Sequence, residues 1–384
     1  MIFGKYLMDS FFAVTAPGLE ALTALELRGL GLLPDAAPSA QAAGGVSFTG
    51  DLVALYRANL ELRTASRVLV RLGSFYTTSF SELRKKAGYL EWGRYLSPGQ
   101  PLAIRATCHK SKLYHSDAVA ERVAGAIADR LGKPVQVRKP GGDESADPAQ
   151  LVVVRLADDQ CTISIDASGE LLHRRGYRQA VAKAPLRETL AAAMLLASGW
   201  DGRVPLLDPF CGSGTIPIEA ALLALGMPPG RRRRFAFMDW PGYQAKVWQV
   251  LLAAAAARTV PERPIIQASD RDAGAVRMAQ ENAERAGVAH YVQFTCRAVS
   301  AVEPPGVPGW VVTNPPYGLR ISQGKDLRNL YAQFGNVLRA KCPGWQVAVL
   351  CDDPKLLGQM GVGLDSSLSY VNGGINVRLA RGQV

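Results

Sequence analysis

The chain has little of the chemistry that metals, disulfides or membranes require. Its six cysteines (108, 161, 211, 296, 342 and 351) include no CxxC pair. Its four histidines (109, 115, 173 and 290) are scattered, none at ligand spacing. Neither a zinc site nor a disulfide framework is expected on that count, and no metal is expected. The longest alanine-rich run, Leu251 to Ala257, falls far short of the ~20 apolar residues that cross a bilayer. The N-terminus shows no basic segment leading into an apolar stretch and a small-residue cleavage site, so a cytoplasmic protein without a membrane partner is expected. Neither GxGxxG nor Gly-Lys-Ser/Thr occurs, which argues against a phosphate-cradling nucleotide loop. Internal repeats are absent too.

Acidic residues are in shorter supply than basic ones: 33 Asp and Glu against 44 Lys and Arg, a net charge of +11 over 384 residues. The imbalance is uneven, with 19 basic against 17 acidic residues in 1–166 and 25 against 16 in 167–384. Such a surplus suits a polyanionic partner, because Lys and Arg gain affinity by displacing counterions from phosphates. Apolar residues make up 48% of the chain, enough for a sizeable core in two or three domains.

The hydrophobic rhythm changes partway along. In the first half, short strand patterns at 11–15, 46–48, 68–70, 102–106, 135–137, 151–154 and 162–165 mix with helical ones after Pro17-Gly18 and at 52–62, 80–90 and 116–131. Ser116 is the N-cap candidate of the last helix, and Pro-Gly-Gly-Asp-Glu-Ser (140–145) reads as a turn. This is an α+β half. In the second half, strand patterns at 205–208, 265–269, 291–295 and 310–314 alternate with helical ones at 214–225, 272–286 and 326–340. Strands at 346–351, 366–371 and 375–380 follow, the last two joined tightly at Asn372-Gly373-Gly374. Alternation predicts a doubly wound, mostly parallel sheet, and the closing turn makes the final strand antiparallel. Seven strands in that arrangement are the layout of the class I methyltransferase sheet, a Rossmann-like α/β fold.

Three segments of the second half carry chemistry. Leu206-Leu207-Asp208 ends a buried strand, and Gly212 and Gly214 occupy the turn before a helix starting near Thr215. Glycines there allow positive φ and clear side chains from the strand end, while the carboxylate suits a cationic amino-acid moiety and a ribose. Ile265 to Asp270 ends the next strand in an acid able to accept both ribose hydroxyls, with Arg271 beside the adenine; Asp272 is the competing choice, or a helix cap. Asn314-Pro315-Pro316-Tyr317 follows the strand Val311-Val312-Thr313. The Asn314 side-chain oxygen and the Pro315 carbonyl can accept both hydrogens of an exocyclic amine. The two prolines, each fixing φ, hold that pair still. Tyr317 is placed to stack on a base, a contact worth about 1–3 kcal/mol.

These motifs make the chain resemble the THUMP-domain class I RNA methyltransferases, specifically their bacterial guanine-N2 branch. The resemblance rests on Leu172-His173-Arg174-Arg175-Gly176-Tyr177-Arg178, Ala184 to Ala191, Asp208-Pro209-Phe210-Cys211-Gly212-Ser213-Gly214-Thr215 and Asn314 to Ile321, with Ser111-Lys112-Leu113-Tyr114-His115 as the THUMP signature. It implies a ferredoxin-like region over 1–65, a THUMP RNA-binding domain over 66–166 and a methyltransferase domain over 167–384. It further implies S-adenosylmethionine as cofactor, contacted by Asp208, Phe210, Gly212, Gly214, Thr215 and Asp270. Asn314, Pro315, Pro316 and Tyr317 would hold the target amine. The family often binds the adenine amino group with a carboxylate just after the third strand, and Phe294 to Val299 holds no acid.

Lys110 and Lys112 of the THUMP half, and Arg174, Arg175 and Arg178, are the expected nucleic-acid contacts; Lys183, Arg187 and the run Arg231 to Arg234 are further basic candidates. The expected activity is methylation of a guanosine N2 amine in structured RNA, with 23S ribosomal RNA first and transfer RNA as the alternative. An Asn/Asp-Pro-Pro-Tyr corner also serves adenine-N6 DNA and glutamine-N5 protein methyltransferases, which the THUMP-like half disfavours. A non-catalytic RNA-binding or assembly protein is the rival from another class. Guanine over adenine rests on the resemblance alone, because the corner accepts either amine.

Overall fold

The computed structural model describes residues 8–35, 41–138, 149–179, 186–258, 264–317, 326–372 and 375–384. The 140–145 turn, Lys183, Ala184-Pro185, Gly318 to Ile321 and the Gly373-Gly374 turn lie outside them. The chain divides into two compact units, one of residues 1–15, 24–172 and 233–251 and the other of 16–23, 173–232 and 252–384.

The first unit is built on one eight-stranded sheet. Its strands are β1 (Asp9–Val14), β2 (Gln41–Ala42), β3 (Gly45–Gly50), β4 (Arg67–Tyr76), β5 (Leu102–His109), β6 (Val137–Arg138), β7 (Gln150–Ala157) and β8 (Gln160–Asp166), in the order β2-β3-β1-β4-β8-β7-β5-β6. β4 is the joint. It pairs antiparallel with β1 on one side and with β8 on the other, so the ferredoxin-like and THUMP segments share a continuous sheet. Arg67, at its start, pairs with the buried Asp166 at the end of β8. Helices α1 (Glu20–Gly29) and α2 (Leu52–Glu61) precede α3 (Phe80–Gly88), which opens on a capping box: Ser79 Oγ accepts the Glu82 amide at 3.3 Å, and Glu82 reaches back to the Thr78 amide. Helix α4 (Ser116–Leu131) packs against α3, and its cap is His115 rather than Ser116, which is the first helical residue.

The sequence gives no sign that residues 233–251 leave the second half. Their aromatics settle in the first unit: Phe237 stacks on Tyr56 at 4.4 Å between centroids, Trp248 meets Tyr56 edge-on at 6.0 Å, and the Trp240 indole donates to Gln150 at 2.8 Å. Large aromatic faces bury more area here than a solvated loop could return.

The second unit carries a seven-stranded sheet of β9 (Leu206–Asp208), β10 (Ile266–Asp270), β11 (Val292–Cys296), β12 (Trp310–Thr313), β13 (Gln346–Cys351), β14 (Leu364–Asn372) and β15 (Ile375–Gln383). Their order is β11-β10-β9-β12-β13-β15-β14. Neighbours from β11 to β13 run parallel, and β15 is antiparallel to both β13 and β14. This is the expected class I layout. Helices α5 (Glu188–Ser198), α6 (Thr215–Ala224), α8 (Ala273–Ala286) and α9 (Arg328–Lys341) cover it, α7 (Ala245–Ala257) begins in the excursion, and α10 (Pro354–Gln359) follows β13. Strand order reverses between β9 and β12. A sheet of this kind opens a crevice there, at the carboxyl ends of its strands.

Candidate active site

The crevice is lined by oxygen atoms without partners. Among the described residues, buried oxygens that receive no hydrogen bond include Asp208 Oδ2 after β9, Ser269 Oγ near the end of β10, Asn314 Oδ1 after β12 and Asp352 Oδ1 after β13. β10, β9, β12 and β13 are adjacent in the sheet, so the four residues stand in a row at or near its carboxyl edge. A buried polar atom left unpaired costs about 1–3 kcal/mol. Unpaired oxygens at neighbouring strand ends mark a place suited to a ligand that supplies the partners.

Asp208 is the centre of the row and is 1% exposed. Its Oδ1 accepts the Thr313 hydroxyl at 2.6 Å and the Phe210 amide at 3.2 Å, which ties β9 to β12 across the switch point. Burial, countered in part by these two hydrogen bonds and reinforced by the nearby Asp270 charge, pushes its pKa up to about 7. A cation at Oδ2 would restore the ionised form. Thr313 was not singled out from the sequence, although it directly precedes Asn314.

The glycine turn is shaped by two needs. Gly214 has φ 84°, and a Cβ there would stand 2.8 Å from the Ala279 Cβ, so the turn and α8 could not approach. Gly212 has φ 52° with nothing within 4 Å of its Cβ position, leaving open space beside the strand end. Asn282 of α8 donates to the Ser213 carbonyl at 3.0 Å and fixes the turn from behind. Thr215 is buried in the first turn of α6, whose leading amides have no partners within the helix.

Asp270 ends β10 and spends one lone pair of each oxygen on the chain: Oδ2 accepts the Gly212 amide and Oδ1 the Asp272 amide, both at 3.0 Å. It is half-buried, with acceptor capacity left on both oxygens. Asp272 caps α8 by accepting from Gly274 and Ala275, so the competing acid is occupied. Arg271 is exposed, and Phe210 is half-buried with its ring edge-on to Phe334 at 5.2 Å.

The amine corner is braced from α9. The Tyr331 hydroxyl, fully buried, donates to the Pro316 carbonyl at 3.2 Å and lies 3.3 Å from the Cys351 sulfur. No sequence motif signals Tyr331, because its role depends on where the helix lands. Asn314 and Pro316 are half-buried and Pro315 is buried. Tyr317 is only 4% exposed and belongs to the core, so its ring shows no open face to a base in this state.

Two of the arginines expected to contact nucleic acid, Arg175 and Arg178, are instead taken up inside the fold. Arg175 is buried in an ion pair with Glu219 at 2.6 Å, and Tyr177 donates to the same carboxylate at 3.0 Å. Arg178 pairs with Glu188 at 3.0 Å and donates to the Leu186 carbonyl. Neither guanidinium is available to a phosphate. Their charge holds the buried acids of the second unit, and a lone buried carboxylate would be far costlier. Arg174 stays partly exposed. The run Arg231 to Arg234 is also structural: Arg231 and Arg232 bind the carbonyls of Ala286 and Arg285 at the C-terminus of α8, Arg233 binds the Leu171 and Glu170 carbonyls, and Arg234 pairs with Asp239.

In the first unit, Lys110 and Lys112 are exposed. The loop carrying them is pinned by Asp159, which accepts the Lys112 amide at 2.7 Å while its own amide donates to Ser111 at 3.0 Å. Tyr114 beside them is 70% exposed. A pinned loop with two cations and an exposed aromatic ring, which leans on His115 at 4.1 Å between centroids, suits nucleic acid.

Comparison with known proteins agrees with this architecture. Residues 10–69 match the RlmL ferredoxin-like domain, 77–166 the THUMP domain and 175–376 the RMKL-like methyltransferase domain. The ribosomal RNA large subunit methyltransferase K/L of Syntrophotalea carbinolica is 38% identical over 96% of this chain, which covers 53% of that protein. The chain spans about half the length of the K/L relatives it matches. A Synechocystis protein named "Putative RNA methyltransferase slr0064" is 35% identical over 97% of this chain and 96% of its own length. The structure of SMU.472 complexed with SAH aligns over 98% of both chains with a TM-score of 0.85 and 29% identity. The chain therefore belongs to the THUMP-containing RNA methyltransferases that carry an RMKL-like methyltransferase domain.

Proposed function

We propose that this chain methylates the exocyclic N2 amine of a guanosine in structured RNA, using S-adenosylmethionine, in the cytoplasm. The names of the K/L relatives point to ribosomal RNA of the large subunit, and 23S ribosomal RNA is the substrate proposed for this chain. Residues 1–65 and 66–166 dock the RNA, and 167–384 hold the chemistry apart from the excursion at 233–251. The observation that carries this reading is the pair of unpaired buried oxygens on Asp208 and Asn314, at the ends of the two strands that flank the switch point.

Each residue then has a task. Asp208 faces the ammonium group of the cofactor, and the open space at Gly212 admits its amino-acid end. The leading amides of α6, from Thr215, suit its carboxylate. Asp270 accepts the ribose hydroxyls, with Phe210 and Arg271 flanking the nucleoside. When bound, S-adenosylmethionine supplies a methyl group on a positively charged sulfur. Asn314 Oδ1 and the Pro315 carbonyl accept the two amine hydrogens and aim the nitrogen lone pair at the cofactor side. Pro315, Pro316 and the Tyr331 brace keep those acceptors in place, so the geometry is set before the base arrives. Tyr317 stacks on the flipped base once its ring is uncovered, helping to offset the few kcal/mol of unstacking. Lys110, Lys112 and Arg174 contact phosphates.

Nucleoside mapping of ribosomal and transfer RNA from a strain lacking this gene tests the reading. Loss of one N2-methylguanosine from 23S ribosomal RNA is expected, restored by the wild-type gene and not by Asn314→Ala. Loss from transfer RNA alone would reassign the substrate, and no loss from either pool would overturn the activity.

A further inference from the structure

The methyl-transfer reading gives no task to two members of the oxygen row, Ser269 and Asp352, and of these Asp352 lies next to the amine corner. Its neighbour Asp353 is structural, with Oδ1 accepting the Lys355 amide at 2.8 Å to cap α10. Asp352 does not share that work. The backbone amides of residues 352 and 353 face its carboxylate, yet Oδ1 is buried and unpaired.

Two ties place it beside the amine corner. β12 and β13 run parallel with Thr313 opposite Val349. The pairing ends there, and the chain leaves these two neighbouring strand ends through Asn314 on one side and Asp352 on the other. The Tyr331 hydroxyl meets both the Pro316 carbonyl and the Cys351 sulfur, so the corner and the residue before Asp352 converge on one atom.

The chemistry of the bases gives such an oxygen a meaning. Adenine and cytosine flank their exocyclic amine with an unprotonated ring nitrogen. Guanine alone flanks it with an N–H, at N1. Asn314 and Pro315 together read only the amine and fit either purine. A carboxylate next to them would meet a donor on guanine and a lone pair on adenine. The first contact is a charge-assisted hydrogen bond; the second leaves two acceptors facing each other. We infer that Asp352 accepts the N1–H of the target guanine and sets the preference for guanine over adenine. This rests on the amine-methylation reading above.

The test uses the full chain as wild type, Asp352→Asn and Asp352→Leu. The site is first mapped on a 23S ribosomal RNA transcript. Synthetic stem-loops then carry guanosine or 2-aminopurine riboside at that nucleotide. 2-Aminopurine keeps the amine on carbon 2 but presents a lone pair at N1. Wild type should methylate guanosine at least ~10²-fold faster than 2-aminopurine, the range expected where a site is built around a missing donor. Asp352→Asn can turn its amide to donate to N1, so the gap should shrink below about tenfold. Asp352→Leu should lose about 10²-fold on guanosine. Cofactor affinity by calorimetry should stay within about twofold in all three, showing the cofactor half intact. Variants that keep the wild-type guanosine preference would overturn the role of Asp352 and leave the methyltransferase reading standing. A wild type that methylates 2-aminopurine as fast as guanosine would also overturn it. A wild type that methylates neither RNA would overturn both.

Discussion

Cofactor affinity should depend steeply on pH through Asp208. The carboxyl is almost wholly buried, its Oδ2 has no partner, and burial raises its pKa to about 7 against the two hydrogen bonds to Oδ1. An ammonium group at Oδ2 requires the ionised form. Affinity should therefore fall tenfold for each pH unit below that value. Between pH 7.5 and 5.5 the expected weakening of Kd is about 25-fold for a pKa near 7. Calorimetry in two buffers of different ionisation enthalpy should show about three-quarters of a proton released per cofactor bound at pH 6.5. Asp208→Asn should bind weakly, without pH dependence or proton release. The same carboxyl affects the ligand-free protein in the opposite sense. Its folded pKa lies above the unfolded value, so its favourable contribution is complete below about pH 4 and lost as pH rises through about 7. Asp208→Asn should thus melt higher than wild type at pH 8. A wild-type Kd unchanged from pH 5.5 to 7.5, with no proton release, would refute the placement of the ammonium at Asp208.

Other residues yield separable outcomes. Asn314→Ala should abolish methyl transfer while leaving cofactor Kd within about twofold by calorimetry; lost cofactor affinity would mean its role is misplaced. Tyr331→Phe should lower kcat by about three- to tenfold, since one neutral hydrogen bond to the corner is lost, without changing cofactor Kd. Arg175→Ala should destabilise the fold by about 3–5 kcal/mol in denaturant melts, because it strands Glu219 in the core. Lys110→Ala and Lys112→Ala should each flatten the slope of log affinity against log salt for RNA by about one, with little change in melting temperature.

Much of the second unit is legible from local pattern. Strands at 206–208 and 266–270 end in Asp208 and Asp270 and the strand at 310–313 ends just before Asn314, because alternation of apolar strand and helix sets the crossover topology and the topology sets which ends face the crevice. Asp272 as a cap could be read from its place before a helical run. The basic clusters could not. Arg175 and Arg178 look like a phosphate-binding pair in the sequence, and only the fold shows Glu219 and Glu188 buried opposite them. Charge counts carry no information about which charges are already neutralised. The excursion at 233–251 was hidden for a related reason: its aromatics show that it packs somewhere, but not against Tyr56, nearly two hundred residues earlier.

The sequence by itself determined the seven-stranded layout, the glycine turn and the proline-fixed corner, since each follows from backbone preferences within a few residues. Tertiary structure decided what surrounds them: Thr313 against Asp208, Tyr331 behind Pro316, and the unpaired oxygen of Asp352 at the end of the next strand. Those relations join residues far apart in the chain. Whether a polar atom is paired depends on packing that no local pattern encodes.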